Sequence, residues 1–226
     1  MTDQTVRNRP DTHEMYVVHR VFRRETALLP RMIRSTRPGD TEYARYVAAH
    51  YRDYALGLHH HHTAEDVLIW PLLLSRVDLE AELVLRMEKQ HEGVAAGLEA
   101  VAALLPEWER TASSAAGEAV AVALEQHRAA LVEHLTDEEN YLLSLIEEHL
   151  TVAEWEKLGE RFAEETPKDK LLFFLGALLE EATPAEAAQM MRNLPWPARL
   201  IWRVVGKRQY ARRTRRLRAP LAAAHS

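Results

Sequence analysis

The sequence contains no cysteine among its 226 residues. This absence excludes disulfide bonds, thiolate zinc sites, iron–sulfur clusters and cysteine nucleophiles. Any metal that this chain binds must therefore be held by nitrogen and oxygen ligands, which histidine, aspartate and glutamate supply.

Long apolar segments are also lacking. The longest apolar run, around Leu171 to Leu179, is much shorter than the roughly 20 residues that a helix needs to cross a bilayer. Residues 1–16 are polar and include no apolar stretch of the length found in signal peptides. We therefore expect a cytoplasmic protein without a transmembrane segment.

Glycine is scarce, with 8 residues in the chain, and apolar residues recur at three- and four-residue spacing in most segments, which is typical of an all-α protein. Four long helices are predicted, at about residues 11–35, 40–74, from the break at 75–78 to just before Pro106, and from Ser113 or Ser114 to about His149. Because the connections are short, we predict an up-down-up-down antiparallel four-helix bundle over residues 1–150.

Residues 151–226 are predicted to form a C-terminal extension of shorter helices that ends in a basic amphipathic helix at about 197–218. Residues 187–226 hold ten Lys/Arg and no Asp/Glu, which leaves 19 basic and 34 acidic residues in 1–186. We expect the apolar side of the last helix, with Leu200, Ile201, Val204 and Val205, to pack on the acidic bundle. Contact of this tail with anionic lipid or nucleic acid is the alternative, although no nucleic-acid-binding motif is recognised.

Two pairs of histidine and glutamate share the same spacing on different predicted helices. His61 precedes Glu65 by four residues, and His134 precedes Glu138 by four. In an α-helix this spacing places two side chains about 40° apart around the axis and about 6 Å apart along it. Both members of each pair can therefore reach the same point in the interior.

The other two long helices each carry one histidine on the stripe expected to face the core, His19 on the first and His91 on the third. Titratable groups are rarely buried without partners. Imidazole and carboxylate together suit iron, manganese or zinc, and facing helices of a bundle can bring such ligands together without an ordered loop. His13, His50 and His225 fall outside this pattern.

At these positions the sequence resembles the hemerythrin-like, or HHE cation-binding, proteins of bacteria. The resemblance covers about residues 11–150, and it is carried by His19, HHHHTAEDVLIWPLL from His59 to Leu73, QHEGV around His91, and EHLTDEENYLLSLI from Glu133 to Ile146. It implies a non-heme centre of two iron ions, with manganese or zinc as the alternatives. The ligands implied are His19, His61, Glu65, His91, His134 and Glu138, with both glutamates as candidate bridges.

Some of these assignments have alternatives. Four consecutive histidines span a full helical turn, so at most one or two of His59 to His62 can face inward. His61 is the first choice, with His60 or His62 in its place as the alternative, and Glu139 is the alternative to Glu138. His127 is expected near the ligands or along a channel, and Tyr54 is expected in the core or with its hydroxyl near the metals.

One departure from the family pattern affects the expected function. Oxygen-carrying hemerythrins have a second histidine four residues after the one on the third helix, and this position is Ala95 here. A missing ligand leaves room for water, peroxide or another exogenous ligand. The resemblance therefore implies a di-iron protein that binds or reacts with O2, H2O2 or NO, with catalase-like decomposition of peroxide as the activity to assay first. The alternatives are a module that senses iron, oxygen or nitric oxide and a biosynthetic di-iron oxygenase.

Overall fold

The computed structural model describes residues 9–78 and 80–223. Almost all of this part of the chain is helical, and it contains no strand. The α-helices are α1 (His13–Arg34), α2 (Thr41–Leu68), α3 (Trp70–Leu74), α4 (Ala81–Thr111), α5 (Ser114–Asp137), α6 (Leu143–His149), α7 (Val152–Glu165), α8 (Lys168–Glu181), α9 (Pro184–Asn193), α10 (Trp196–Ile201) and α11 (Lys207–Ala223). Two π-helical turns, Glu138–Leu142 and Trp202–Gly206, join α5 to α6 and α10 to α11. The all-α prediction is confirmed.

The four long helices contact one another in a ring, in the order α1, α2, α4, α5 and back to α1. Their inward faces carry aliphatic and aromatic side chains that are almost completely buried, among them Leu29, Val47, Leu58, Val94, Val101, Leu124 and Leu131. Burying such side chains is the main force that holds helices of this length together. The ring encloses the positions at which the predicted ligands lie.

Side-chain caps set the starts of two of these helices. The carboxylate of Asp40 accepts a hydrogen bond from the backbone N–H of Tyr43 at 3.0 Å and begins α2. The hydroxyl of Ser113 accepts one from the backbone N–H of Ala116 at 3.2 Å and begins α5. Gly39, in the connection before α2, has a φ of +83°, which a side chain would strain.

The prediction that the third long helix ends before Pro106 is wrong. Helix α4 continues to Thr111 and ends at Ala112, which has a left-handed φ of 46°. Proline removes a backbone hydrogen bond from a helix. The continuation buries Trp108 on the far side of the proline, and burial of a tryptophan outweighs one lost hydrogen bond.

The second long helix predicted from the sequence is interrupted just before Pro71. Helix α2 ends at Leu68, Ile69 lies between the helices with φ −104° and ψ −55°, and the short helix α3 follows. Trp70 and Leu73 of α3 are fully buried. They close one end of the core together with residues of α4 and α6.

Helices of the C-terminal segment pack on the bundle, with α7 on α2, and α8 and α11 on α1. Capping boxes begin α7 and α9, at Thr151 with Glu154 and at Thr183 with Glu186. The buried carboxylate of Asp53 on α2 pairs with Lys170 of α8 and with Arg213 of α11. Ion pairs as well as apolar contacts therefore attach this segment to the bundle.

The expected packing of the last helix is wrong. Leu200, Ile201, Val204 and Val205 are exposed, whereas Trp202 and Leu217 on the other side of the tail are buried. Arginines on that buried side have acidic partners on the rest of the chain, including Arg218 with Glu180 at 2.6 Å. The tail therefore presents its aromatic and paired cationic face to the protein. No helix within residues 9–78 and 80–223 has the length and apolar content to span a bilayer.

Candidate metal centre

The six predicted site residues lie together in the interior of the helical ring, and His62 lies with them. All seven side chains are buried. Their donor atoms form two groups, in each of which the atoms lie within 4.8 Å of one another. The first group is His19, His61 and Glu138, and the second is His62, Glu65, His91 and His134.

The first group joins α1, α2 and the π-helical turn after α5. His19 Nε2 lies 3.3 Å from Glu138 Oε2, and the imidazole rings of His19 and His61 are 5.4 Å apart between centroids. Phe22 packs beside them, with its ring 5.2 Å from that of His61. Three donors from three elements therefore point at one small volume with an apolar wall.

The second group joins α2, α4 and α5. The Nε2 atoms of His91 and His134 are 3.1 Å apart, and His91 Nε2 lies 3.6 Å from Glu65 Oε2. The ring of His62 stacks on that of His91, with the centroids 4.0 Å apart and the planes 12° apart. This contact brings a fifth imidazole into the site.

Each glutamate also lies near a histidine of the other group. Glu65 Oε1 is 3.4 Å from His61 Nε2, and Glu138 Oε2 is 3.7 Å from His134 Nε2. Both distances join residues four apart in sequence. The two carboxylates are therefore placed between the groups, where each could contact a cation on either side.

Most of the buried donor atoms of this cluster lack hydrogen-bond partners. Both carboxylate oxygens of Glu65 and of Glu138, and Nε2 of His19, His61 and His62, form no hydrogen bond within the described residues. Buried polar groups without partners are costly and rare. Because imidazole nitrogens and carboxylate oxygens are ligands for iron, manganese and zinc, the residues present fit a buried cation site.

Burial sets the protonation of the imidazoles. It lowers the pKa of His61 and of His62 far below the usual value, and it lowers the pKa of His134 to about 4. These three side chains are therefore neutral near pH 7. A neutral imidazole is the form that binds a metal ion.

The two glutamates differ because their surroundings differ. Burial and the charge of Glu138 raise the pKa of Glu65 well above its usual range. Burial would also raise the pKa of Glu138, but His19 and the neighbouring imidazoles reverse this and lower it. Burial alone would lower the pKa of His19, whereas the charge of Glu138 raises it. Cations in the site would therefore displace protons from His19 and Glu65.

Polar contacts on the outer side of the cluster hold two of the histidines. His91 Nδ1 lies 2.6 Å from Asp66 Oδ1, and His134 Nδ1 lies 3.4 Å from Gln90 Oε1. A carboxylate that accepts the Nδ1–H of a histidine leaves its Nε2 unprotonated and directed toward the centre. Asp66 therefore fixes both the tautomer and the orientation of His91.

Glu138 and Glu139, which the sequence left as alternatives, both lie in the π-helical turn. Both carboxylates contact His19, Glu138 at Nε2 and Glu139 at Nδ1, the latter at 2.9 Å. Arg23 also donates to Glu139 at 2.5 Å. The wider turn brings these consecutive side chains to the same imidazole, and π-helical turns are frequent at functional sites.

The four-histidine run divides between interior and surface. His61 and His62 both face inward, so the structure does not make them exclusive alternatives. His60 lies outside the cluster, with Nδ1 3.3 Å from the hydroxyl of Thr166 at the C-terminal end of α7, and His59 is exposed. The sequence indicated that one or two residues of this turn face inward. Helical geometry alone could not show that His61 and His62 both do so.

His127 and Tyr54 form a separate buried pair. The Tyr54 hydroxyl lies 2.6 Å from His127 Nε2, and burial lowers the pKa of His127 to about 4. The Tyr54 ring contacts Phe22, which in turn contacts His61. This pair therefore borders the cluster of donor side chains through one aromatic ring and does not belong to it.

His50, which fell outside the sequence pattern, is also buried. Its Nε2 lies 2.8 Å from Glu25 Oε2, and Glu25 also accepts hydrogen bonds from Arg24. Arg24 pairs with Glu180 and Glu181 of α8. No local spacing signals this network because its members come from distant segments. His225 lies outside the described residues.

Two cavities approach the cluster. A cleft of about 400 Å³ is lined by His62, His91 and Ala95, so the position without the expected histidine borders open space. On another side, an apolar cavity of about 220 Å³ is lined by Phe22 and His61 and closed by residues of α7 and α8, including Trp155, Phe162 and Phe174. The cluster is therefore approached both by a polar route and by an apolar one.

Comparison with known proteins places this cluster in a family. The family model of the hemerythrin HHE cation binding domain matches residues 11–146. A comparison with curated proteins gives no match, and a comparison with solved structures gives none. The matched range holds all seven donor residues and more than half of the chain, and the protein therefore belongs to the hemerythrin HHE cation-binding family.

Proposed function

We propose that this chain is a non-heme di-iron protein that binds or reacts with O2, H2O2 or NO, and that decomposition of hydrogen peroxide is its activity. The observation that supports this proposal is the pair of adjacent donor groups with Glu65 and Glu138 between them. Two redox-active metal ions held by these residues would supply the two-electron exchange by which one H2O2 is reduced to water while a second is oxidised to O2. Manganese and zinc remain the alternative metals.

The residues of the chain have separable tasks in this proposal. His19, His61 and Glu138 would hold one ion, and His62, Glu65, His91 and His134 the other. Asp66 keeps the Nδ1 proton of His91 on the outer side. The cleft beside Ala95 admits a small polar molecule such as peroxide to the second group.

We also infer that the bundle has the up-down-up-down antiparallel order, since α1, α2, α4 and α5 contact one another in a ring and the connections between them are short. The division of the chain at about residue 150 and the cytoplasmic location stay predictions. A chain that ends at residue 150 tests the division. It should still fold and bind metal if residues 1–150 form an independent domain.

Metal analysis of protein purified without a histidine tag, together with its visible absorption spectrum, tests the proposed centre. We expect two iron ions per chain and steady evolution of oxygen from H2O2. Glu65→Ala and Glu138→Ala should each lose at least one metal ion per chain. Glu92→Ala is the matched control, because Glu92 is exposed on α4 next to His91. Retention of two ions by both alanine variants would show that the ligand assignment is wrong.

His62→Ala tests the residue that the structure adds to the predicted set. If His62 is a ligand, this variant should bind the second metal ion more weakly, whereas His60→Ala should bind both ions as the unaltered protein does. His60 is suitable as the control because it lies next to the cluster in sequence but contacts Thr166 and Phe162. Equal metal content and affinity in the two variants would remove His62 from the site.

A second candidate function is oxygenation of a small apolar molecule, which the cavity beside His61 favours. Its volume of about 220 Å³ and its aromatic walls suit a compact hydrophobic substrate. Val18→Phe should narrow this cavity. If peroxide decomposition is the activity, oxygen evolution should survive this substitution. If the protein is an oxygenase, small aromatic compounds should perturb the visible spectrum of the metal-loaded protein and Val18→Phe should weaken that effect.

A further inference from the structure

Five large apolar side chains are exposed together on the outward side of α10 and the π-helical turn that follows it. Their exposed fractions are 69% for Trp196, 53% for Leu200, 49% for Ile201, 58% for Val204 and 40% for Val205. The other exposed large apolar residues of the described chain are scattered over the bundle. We call these five residues the tail patch. Contiguous apolar surface of this kind marks an interaction site.

Unpaired cations surround and extend the tail patch. Six basic residues within residues 196–223 form no ion pair in the described part of the chain, namely Arg199, Arg203, Lys207, Arg208, Arg212 and Arg215. Three neighbouring arginines on the same helix do have acidic partners, Arg213 with Asp53, Arg216 with Glu42 and Arg218 with Glu180. The tail therefore has one cationic set used for attachment to the bundle and another that is free to meet anions.

The spacing places the apolar stripe and the free cations on one outward surface. Trp196, Leu200 and Val204 follow one another at intervals of four, and Trp202 lies on the opposite, buried side. Arg203 flanks the stripe, and Arg208 continues beyond its C-terminal end. An apolar stripe with a tryptophan, bordered by Lys and Arg, is the pattern of helices that lie in the plane of a membrane surface.

We propose that the tail patch and its free cations dock on an anionic lipid bilayer, with the helix parallel to the surface and the apolar side chains in the boundary between headgroups and acyl chains. Charge complementarity selects this partner, since residues 187–226 hold ten basic and no acidic residues. A nucleic acid would satisfy the arginines and leave the aliphatic stripe without a partner. A second copy docked tail to tail would place two strongly cationic segments together.

The charge of the rest of the chain sets an orientation on such a surface. Residues 1–186 carry 34 acidic and 19 basic residues, so an anionic bilayer repels the bundle while it attracts the tail. The bundle, with its metal cluster, therefore faces away from the lipid. Binding of this kind is peripheral and reversible, and it requires no helix that spans the membrane.

Vesicle co-sedimentation tests this proposal with the full-length, metal-loaded protein. We expect binding to vesicles of phosphatidylglycerol mixed with phosphatidylcholine, weakening as salt rises, and no binding to phosphatidylcholine alone. Each removed cation should weaken binding about five-fold, so Arg208→Gln with Arg212→Gln should cost about 25-fold. Leu200→Ser with Val204→Ser should cost at least about ten-fold, because the acyl boundary no longer accepts those side chains.

Two control variants use the same types of substitution at sites outside the tail. Leu85→Ser with Val122→Ser removes two exposed apolar residues of the bundle, and Arg110→Gln removes a cation on α4 whose side chain pairs with Glu107 in its own helix. Both should bind the anionic vesicles as the unaltered protein does. Trp196 should shift its fluorescence to shorter wavelength on binding, and Trp196→Phe should remove most of that shift.

Four outcomes would overturn the proposal. They are absence of binding to anionic vesicles, binding that the Leu200→Ser and Val204→Ser substitutions do not weaken, tighter binding to a DNA or RNA oligonucleotide than to vesicles, and a dimer in analytical ultracentrifugation that the same two substitutions dissociate. The second would mean simple adsorption of a polycation, the third a nucleic-acid site, and the fourth an interface between copies of the chain.

Discussion

Asp66→Asn should weaken metal binding without unfolding the protein. Asp66 Oδ1 lies 2.6 Å from His91 Nδ1, and this carboxylate is the partner that keeps the imidazole in the tautomer with a free Nε2. An asparagine of the same size keeps the oxygen acceptor but removes its negative charge. The amide can also turn its NH2 group toward Nδ1, which would favour the wrong tautomer.

The expected loss can be estimated from the geometry. Replacement of a polar group that orients a metal-binding histidine costs about ten- to 100-fold in metal affinity. The side chain of Asp66 is 43% exposed, so water screens part of its charge. We therefore expect about ten- to 30-fold, which corresponds to about 1.4–2 kcal/mol of binding free energy per affected ion.

Competition with a chromophoric chelator measures this change. The metal-loaded Asp66→Asn protein should release one ion at about ten- to 30-fold lower chelator concentration than the unaltered protein, while the release of the other ion changes little. Glu92→Gln removes a neighbouring exposed carboxylate of α4 and should release both ions as the unaltered protein does. Equal affinities in the Asp66→Asn and unaltered proteins would refute the orienting role of this carboxylate.

Three further predictions concern stability. Burial alone would raise the pKa of Glu25, but His50 and Arg24 lower it to about 2. The contacts of the ionised Glu25 carboxylate therefore stabilise the folded protein by up to about 3 kcal/mol above pH 4.5, and this stabilisation is lost as the pH falls toward 2. Urea unfolding should accordingly show Glu25→Gln less stable at pH 7, by an amount that shrinks below pH 4.5, and a pH-independent difference would contradict this assignment. Removal of metal should lower the melting temperature by about 8–16 °C for each bound ion if the ions are present at about 1,000 times their Kd, as measured by calorimetry with and without chelator. Asp53→Asn leaves Lys170 and Arg213 without their buried partner, and limited trypsin digestion should then cleave residues 168–218 faster while the bundle stays intact.

Local signals in the sequence were sufficient for much of the fold. Asp40, Ser113, Thr151 and Thr183 begin helices because their side chains cap the N–H groups that follow within three residues. Local geometry also predicted that the members of each His-x-x-x-Glu pair lie close together, since the helix itself fixes where residues four apart point. Features of this kind depend on few distant contacts, and sequence reasoning recovers them well.

The features that sequence reasoning missed depend on contacts between distant segments. His62 joins His61 in the interior because the packing of α2 against α4 sets the rotation of the helix, which no spacing within the run reveals. Helix α4 passes Pro106 because Trp108 finds a buried position. The tail presents the opposite face from the one expected, since Asp53 and Glu180 supply partners for its arginines. In each case the deciding contribution comes from another element.

The π-helical turn at Glu138–Leu142 fits one residue more into the helix than an α-helical turn would over the same path. Deletion of one residue from it would therefore restore a regular α-helix and leave the downstream residues close to their present orientation, with Leu142 and Ile146, both fully buried, still in the core. The change would fall on the turn itself, where only one glutamate could then face His19. A version of this protein shortened here would keep its fold and lose one of the two carboxylates that contact this histidine.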